Sequence, residues 1–193
     1  MKNKLVTTVA LLLMLAEIVL IVVSWFLSAM MTEGVASLLS SEGVRWFFSQ
    51  FVTMVQTPLL VWILLLAMAY GCLRAGVFAP MEEHRRSKKG WKAALIVSVL
   101  YVCLLLLLTV VPHAVLLSAT GNLFPSPFSR ALIPLIALGI ILYAVTYGLA
   151  AHTFRSLSEV MQSFTDGLAG AAPIVLVYIL FIQFYESLRY VFF

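Results

Sequence analysis

Between two long apolar runs lies a nineteen-residue stretch, 74–92, that holds six of the chain's twelve lysines and arginines. The flanking runs are each about twenty residues, the length a helix needs to cross hydrocarbon. A basic loop between two such runs marks the cytoplasmic face of a membrane. No other feature constrains the fold as strongly. It predicts spanning helices and sets the side on which their connections lie, with Arg85, Arg86, Lys88, Lys89 and Lys92 as the residues that set topology.

Composition agrees. The 193 residues are 63% apolar and only 10% charged, with a mean hydropathy of +1.09, whereas a soluble domain carries roughly 25% charged residues. Lipid must therefore be the solvent. The net charge of +4 comes mostly from the one loop, so it reads as topology and attraction to anionic lipid. Nucleic acid is not an expected partner, because no basic stripe alternates with aromatics. Cys72 and Cys103 sit inside apolar runs as small buried residues, without the spacing of a metal site.

Taken in order, the chain predicts an all-α polytopic membrane protein, a single domain over 1–193. Lys2 and Lys4 lead into a first span at about 5–30, too long for the core of a cleaved leader. Next comes an amphipathic helix at about 41–56. Val44, Phe47, Phe48, Phe51 and Val55 recur on one face, with Arg45, Ser49, Gln50 and Thr53 on the other. Pro58 opens the second span, about 57–76, since proline is tolerated in a first turn.

The third span, about 91–117, follows the basic loop, and a Pro- and Gly-rich loop at 121–127 leads to the fourth, about 129–151. Ser156 and Glu159 then have the spacing of a capping box. The amphipathic helix they open, about 156–170, places Leu157, Val160, Met161, Phe164 and Leu168 on one face. Ser158, Glu159, Gln162, Ser163 and Asp166 take the other. Pro173 opens the fifth span, about 172–193. The reading is thus five spans plus two amphipathic interfacial helices.

With the N-terminus inside, nine lysines and arginines are cytoplasmic and only Arg45, Arg130 and Arg189 lie outside. That bias fits a multi-pass protein of the inner (cytoplasmic) membrane with the N-terminus in the cytoplasm and the C-terminus outside. Each half then reads span, amphipathic helix, Pro-led span, in opposite orientations. Inverted repeats of this kind recur in secondary transporters, although any amphipathic linker can mimic half of one.

Several stretches carry a resemblance. Ser37-Leu-Leu-Ser-Ser-Glu-Gly-Val-Arg-Trp-Phe-Phe48, Thr57-Pro-Leu-Leu60 and Gly71-Cys-Leu-Arg-Ala-Gly76 resemble the AbgT family of p-aminobenzoyl-glutamate transporters. So does a second block: the Pro-Ser-Pro-Phe loop, Tyr147-Gly148, the 156–164 helix and a span ending Gln183-Phe184. The ordered set covers most of 35–190. Members of that family are longer, work as dimers, and bind substrate through re-entrant hairpins with Ser-Asn-Thr-Ala-Ser and Gly-Ser-Ala-Ser-Ala runs. Neither run is present, and Tyr143-Ala144 stands where the family has Pro-Gly.

The resemblance implies a short form of the scaffold and dimerisation part without the hairpin-containing transport core, oligomeric or dependent on a separate membrane partner. Two alternatives stay open. One is a minimal secondary transporter of p-aminobenzoyl-glutamate-like or sulfonamide-like solutes using Glu17 for cation coupling. The other is an accessory subunit of an unrelated membrane complex.

Glu17 is the sharpest candidate, because it lies near the middle of the first span. A bare charge there costs several kcal/mol by most scales. It must be neutral, paired or facing a wet cavity, and the plain reading gives it a hydroxyl partner among Ser98, Tyr101 and Tyr143. Glu186 and Arg189, three apart, are expected to form a structural pair. Ala67, Gly71 and Ala75, and Ala144 and Gly148, are small-residue stripes that let helices approach closely, within the chain or across a dimer.

His113 suits a headgroup-level position, and His84 and His152 have no companions at metal-ligand spacing. No nucleophile stands at recognisable spacing from a base, and no phosphate loop occurs. The expectation is a non-enzyme without cofactor or metal.

Overall fold

The computed structural model describes residues 2–31, 34–78, 88–110 and 126–193. Among them are six α-helices and no strand: α1 (Lys2–Ala29), α2 (Ser41–Val55), α3 (Pro58–Gly76), α4 (Lys88–Val110), α5 (Pro127–Ala150) and α6 (Leu157–Phe192). Five of these, all but α2, are long and apolar enough to cross a membrane. Helices are the expected solution, since within hydrocarbon each backbone donor must find its acceptor inside the same segment. The chain is an all-helical polytopic membrane protein. Residues 79–87, with His84, Arg85 and Arg86, lie outside the described residues. So do Thr32, Glu33 and 111–125, which include His113 and the far end of the third predicted span.

Local signals explain several helix ends. Ser40 caps α2, its side chain accepting from the Gly43 amide at 3.0 Å, as a serine at that position does. Ser126 and Ser129 form a reciprocal capping box at the head of α5, with Pro127 in the first turn. At the head of α6 the expected box is displaced: Glu159 reaches back to the amide of Arg155 at 2.8 Å, and the Ser156 hydroxyl bonds that of Ser158.

The main departure from the sequence reading is α6. An amphipathic helix at 156–170 and a separate Pro-led span were expected. Instead one helix of 36 residues runs through Pro173. Proline removes one backbone hydrogen bond and crowds the carbonyl four residues back. Membrane helices tolerate this because surrounding groups re-satisfy the freed backbone, and α5 likewise carries Pro134 in its interior. The Pro-led restart therefore occurs at Pro58 and not at Pro173.

The chain divides into two compact units, one comprising 1–61 and 172–193 and the other 62–171. In the first, Leu20, Leu38 and Val191 form a buried cluster flanked by Ile21, Val35, Trp46, Phe184, Leu188 and Tyr190. Segment 35–38 is pinned at both ends. The Ala36 amide donates to the Val191 carbonyl at 3.0 Å, and the Leu38 amide donates to Ser24 Oγ at 3.2 Å. Trp46 stacks on Tyr190 with ring centroids 4.2 Å apart. Most of α1 outside that contact is exposed apolar surface, Leu12, Leu15, Ile18, Val22 and Phe26 among it, which only lipid or another protein can cover.

In the second unit the organising contact is backbone to backbone. A methyl on Gly71 would land on the Ser163 carbonyl and on Gly167, and one on Gly167 would strike the Ala67 carbonyl. Helices α3 and α6 touch here with nothing between them. The buried face of this part of α6 is accordingly Val160, Ser163, Phe164 and Gly167, while Leu157 and Met161 are exposed. It is turned from the predicted face because close approach selects small residues over large apolar ones. Beside it, Cys72, Ala144, Phe154 and Val160 are buried together, with the Phe154 ring seated over Gly148 and Gly76.

Gly71→Leu is expected to cost about 3 kcal/mol or more of stability, since backbone cannot yield to the added atoms. Gly170→Ala, whose added methyl meets nothing within 4 Å, should be neutral or stabilising by up to about 1 kcal/mol. Thermal unfolding in detergent, followed by circular dichroism, compares the two; equal losses would refute the close-approach account.

Candidate functional site

Helical periodicity builds the polar site of the first unit. On α1, Glu17, Leu20, Ile21 and Ser24 recur at spacings of three and four and share one face. On α6, Gln183, Phe184, Ser187, Leu188 and Val191 do the same. The apolar members of both rows pack together, and that packing brings the polar ones into register.

Ser187 Oγ donates to Glu17 Oε1 at 2.7 Å, and Gln183 Nε2 donates to Ser187 Oγ at 3.0 Å. Ser187 is fully buried and Gln183 is 8% exposed. The remaining oxygens, Glu17 Oε2 and Gln183 Oε1, are buried and have no hydrogen-bond partner. Two acceptors left bare in one cluster is the most unusual feature of the polar chemistry, because buried polar atoms are almost always paired.

Glu17 thus has the hydroxyl partner that was expected in kind but not in place. Ser187 supplies it, 170 residues along the chain, instead of Ser98, Tyr101 or Tyr143. Tyr101 donates to the Leu135 carbonyl at 2.7 Å, and Tyr143 lies edge-on to Trp91 and stacked with Tyr147. Single-sequence reasoning could have flagged Gln183 and Ser187 as polar residues one turn apart in an apolar span. It could not have paired them with α1.

The other predicted residues fall as follows. Glu186 and Arg189 approach to 3.9 Å, with the arginine side chain 67% exposed. That is a long, solvated contact of little energetic weight. Ala67 and Gly71 are buried against Gly167, a residue the sequence reading did not single out. Ala75 and Ala144 pack in the apolar cluster of the second unit, and Gly148 lies under Phe154. Within this chain, Phe154 and α6 cover the small-residue stripes. Lys88, Lys89 and Lys92 lie in the first turns of α4, and His152 follows α5 with a left-handed backbone, φ 58°. Cys72 is buried and Cys103 exposed, both as free thiols. Among the described residues no group of three His, Cys, Asp or Glu is placed to hold a metal.

One cavity of about 420 Å³ lies along α4 and α5 in the second unit. Leu73, Val102, Leu105, Leu132, Leu135 and Ile136 line it together with Phe128, Gly139 and Ile140; among the described residues Ser98, Tyr101 and Tyr143 supply its hydroxyls. Among the described residues no charged side chain lines it.

The model of a family described as the AbgT putative transporter family aligns with residues 79–189, more than half of the chain. The second of the two blocks that carry the sequence resemblance falls inside those residues, and the block at 37–76 falls outside them. Neither a curated protein nor a solved structure matches the chain.

Ser187→Ala removes the donor that holds Glu17 and should cost roughly 0.6–2 kcal/mol of unfolding free energy, the scale of a side-chain hydrogen bond between membrane helices. Tyr185→Phe, on the exposed side of the same helix, should change stability by less than about 0.5 kcal/mol. Denaturant titration in detergent separates the two, and an unchanged Ser187→Ala would show that this bond does not hold the helices together.

Proposed function

We propose that this chain, which belongs to the AbgT putative transporter family, serves as an oligomeric or partner-dependent membrane scaffold and not as a complete carrier. The observation that carries the reading is the cavity along α4 and α5. Among the described residues its lining is apolar with three hydroxyls and no cationic group. A p-aminobenzoyl-glutamate-like solute bears carboxylates, and charges removed from water need paired counter-charges and hydrogen bonds. Among the described residues such a lining offers hydroxyls but no counter-charge. Exposed apolar side chains along α1 and α4 are surface for lipid or for a partner helix, and the fold by itself would not decide between roles.

A second reading, a carrier coupled to a cation through Glu17, is favoured by the hydrogen-bonded placement of that carboxyl in the middle of α1. The two readings differ in transport. In liposomes under a proton gradient, the purified chain should leave p-aminobenzoyl-glutamate uptake at the level of empty vesicles. Complexes released from native membranes in mild detergent should weigh more than one chain of 21.4 kDa. Uptake that Glu17→Gln abolishes would overturn the scaffold reading in favour of the carrier.

The same proposal places the chain in the cytoplasmic membrane with the N-terminus inside, on the excess of lysine and arginine in the loops of one side. A phosphatase that is active only outside the cytoplasm should work when fused after Phe193 and stay inactive when fused after Lys89. The reverse pattern would invert the topology.

A further inference from the structure

We infer that Glu17, Gln183 and Ser187 form an intramembrane binding site for one monovalent cation, a proton or an alkali metal ion. The inference does not depend on whether the chain moves solute, so it can fail while the scaffold reading stands, and the converse.

Counting donors and acceptors leads to it. With the carboxyl ionised, the cluster offers Ser187 O–H and the Gln183 amide N–H groups as donors. The Ser187 proton is used on Glu17 Oε1, and one amide N–H is used on Ser187 Oγ. Glu17 Oε2 and Gln183 Oε1 remain, both buried, both acceptors only, neither with a partner. No rotation of the serine hydroxyl serves more than one of them. What both oxygens lack is a donor or a cation; the second amide N–H of Gln183 could serve Glu17 Oε2 at most, which still leaves the Gln183 oxygen bare.

The position makes the same demand. Glu17 lies at the midpoint of a 28-residue apolar helix, where an uncompensated carboxylate is costly. Among the described residues no cation lies within ion-pair distance of it. Within the unit that holds the cluster, the described charged and titratable groups on the packed elements are Lys4 on α1, Glu42 and Arg45 on α2, and Tyr178, Tyr185, Glu186, Arg189 and Tyr190 on α6. Of these, Glu186 is engaged with Arg189, Tyr178 with Thr57, and Tyr190 with Trp46. None bonds Glu17.

One bound cation answers both demands. A proton on Oε2 removes the charge and turns that oxygen into a donor, for which the bare Gln183 oxygen is the acceptor at hand. An alkali ion, a hard cation that takes oxygen ligands, would draw on the same two oxygens with Ser187 Oγ beside them. The shared chemistry is a single positive charge held by a carboxyl and an amide oxygen. The protein binds it without a metal-type cluster of carboxylates.

Infrared difference spectroscopy on the full-length protein in liposomes distinguishes the sources. One arm varies pH in the absence of sodium and potassium, and the other adds sodium chloride at fixed pH. A neutral-carboxyl C=O band that is lost in Glu17→Gln and indifferent to sodium identifies the proton. A carboxylate band that shifts on sodium addition, with the shift lost in Glu17→Gln, identifies the alkali ion. Gln183→Leu keeps the carboxyl while removing its partner oxygen. It should weaken retention of either cation by about tenfold or more, the scale of a hydrogen bond to a charged group, and covers the case in which Glu17→Gln does not fold. A wild-type spectrum with no neutral carboxyl and no sodium response, unchanged in Gln183→Leu, overturns the inference.

Discussion

Hydrocarbon supplies no hydrogen-bond partners, and a chain with this much apolar surface has to close its polar accounts within itself. The helices satisfy the backbone, and hydroxyl side chains follow the same rule. Thr109 Oγ1 donates to the Leu105 carbonyl at 2.8 Å, Thr146 Oγ1 to Leu142 at 2.7 Å, and Ser163 Oγ to Val160 at 2.6 Å. Tyr101 reaches across to the Leu135 carbonyl in the neighbouring helix. Against that background of paired groups, the two bare oxygens at Glu17 and Gln183 stand out.

Lipid also weakens the force that assembles soluble proteins. Leucine gains little by leaving acyl chains for another helix, so association rests on close packing and on polar contacts between helices. The two units solve this differently. In 62–171 the contact is steric, Gly71 against Gly167 with the Phe154 ring over Gly148. In the unit that joins 1–61 to 172–193 it is polar, with Ser187 on Glu17 and the amides of Ala36 and Leu38 tied to Val191 and Ser24. Neither relies on a large apolar core. The buried residues are mostly alanine, glycine, serine and cysteine.

Much of the architecture was legible in the residues, for physical reasons. Spans are long uniform apolar runs, and α2 announces itself by Phe47, Phe48 and Phe51 at helical spacing with Ser40 before it. What sequence could not supply was anything decided by a distant neighbour. The partner of Glu17 is 170 residues away, and no local pattern distinguishes Ser187 from Ser98 or Tyr101 as its donor. The face of α6 around Ser163 was misassigned because amphipathicity ranks side chains by polarity, whereas contact with Gly71 ranks them by size. The continuity of α6 through Pro173 was missed for a related reason. A proline signals interruption where water would compete for the freed carbonyl, and that competitor is absent in a bilayer.

That continuity has a consequence for the membrane itself. At about 1.5 Å per residue, 36 residues extend for about 54 Å, against about 30 Å of hydrocarbon. Hydrophobic mismatch must then be absorbed by tilt, or by letting the turn that carries Glu159, Gln162 and Asp166 rise among the headgroups. Bilayer thickness thereby becomes a variable that acts on α6, and lipids with longer or shorter tails would set how far its acidic end emerges.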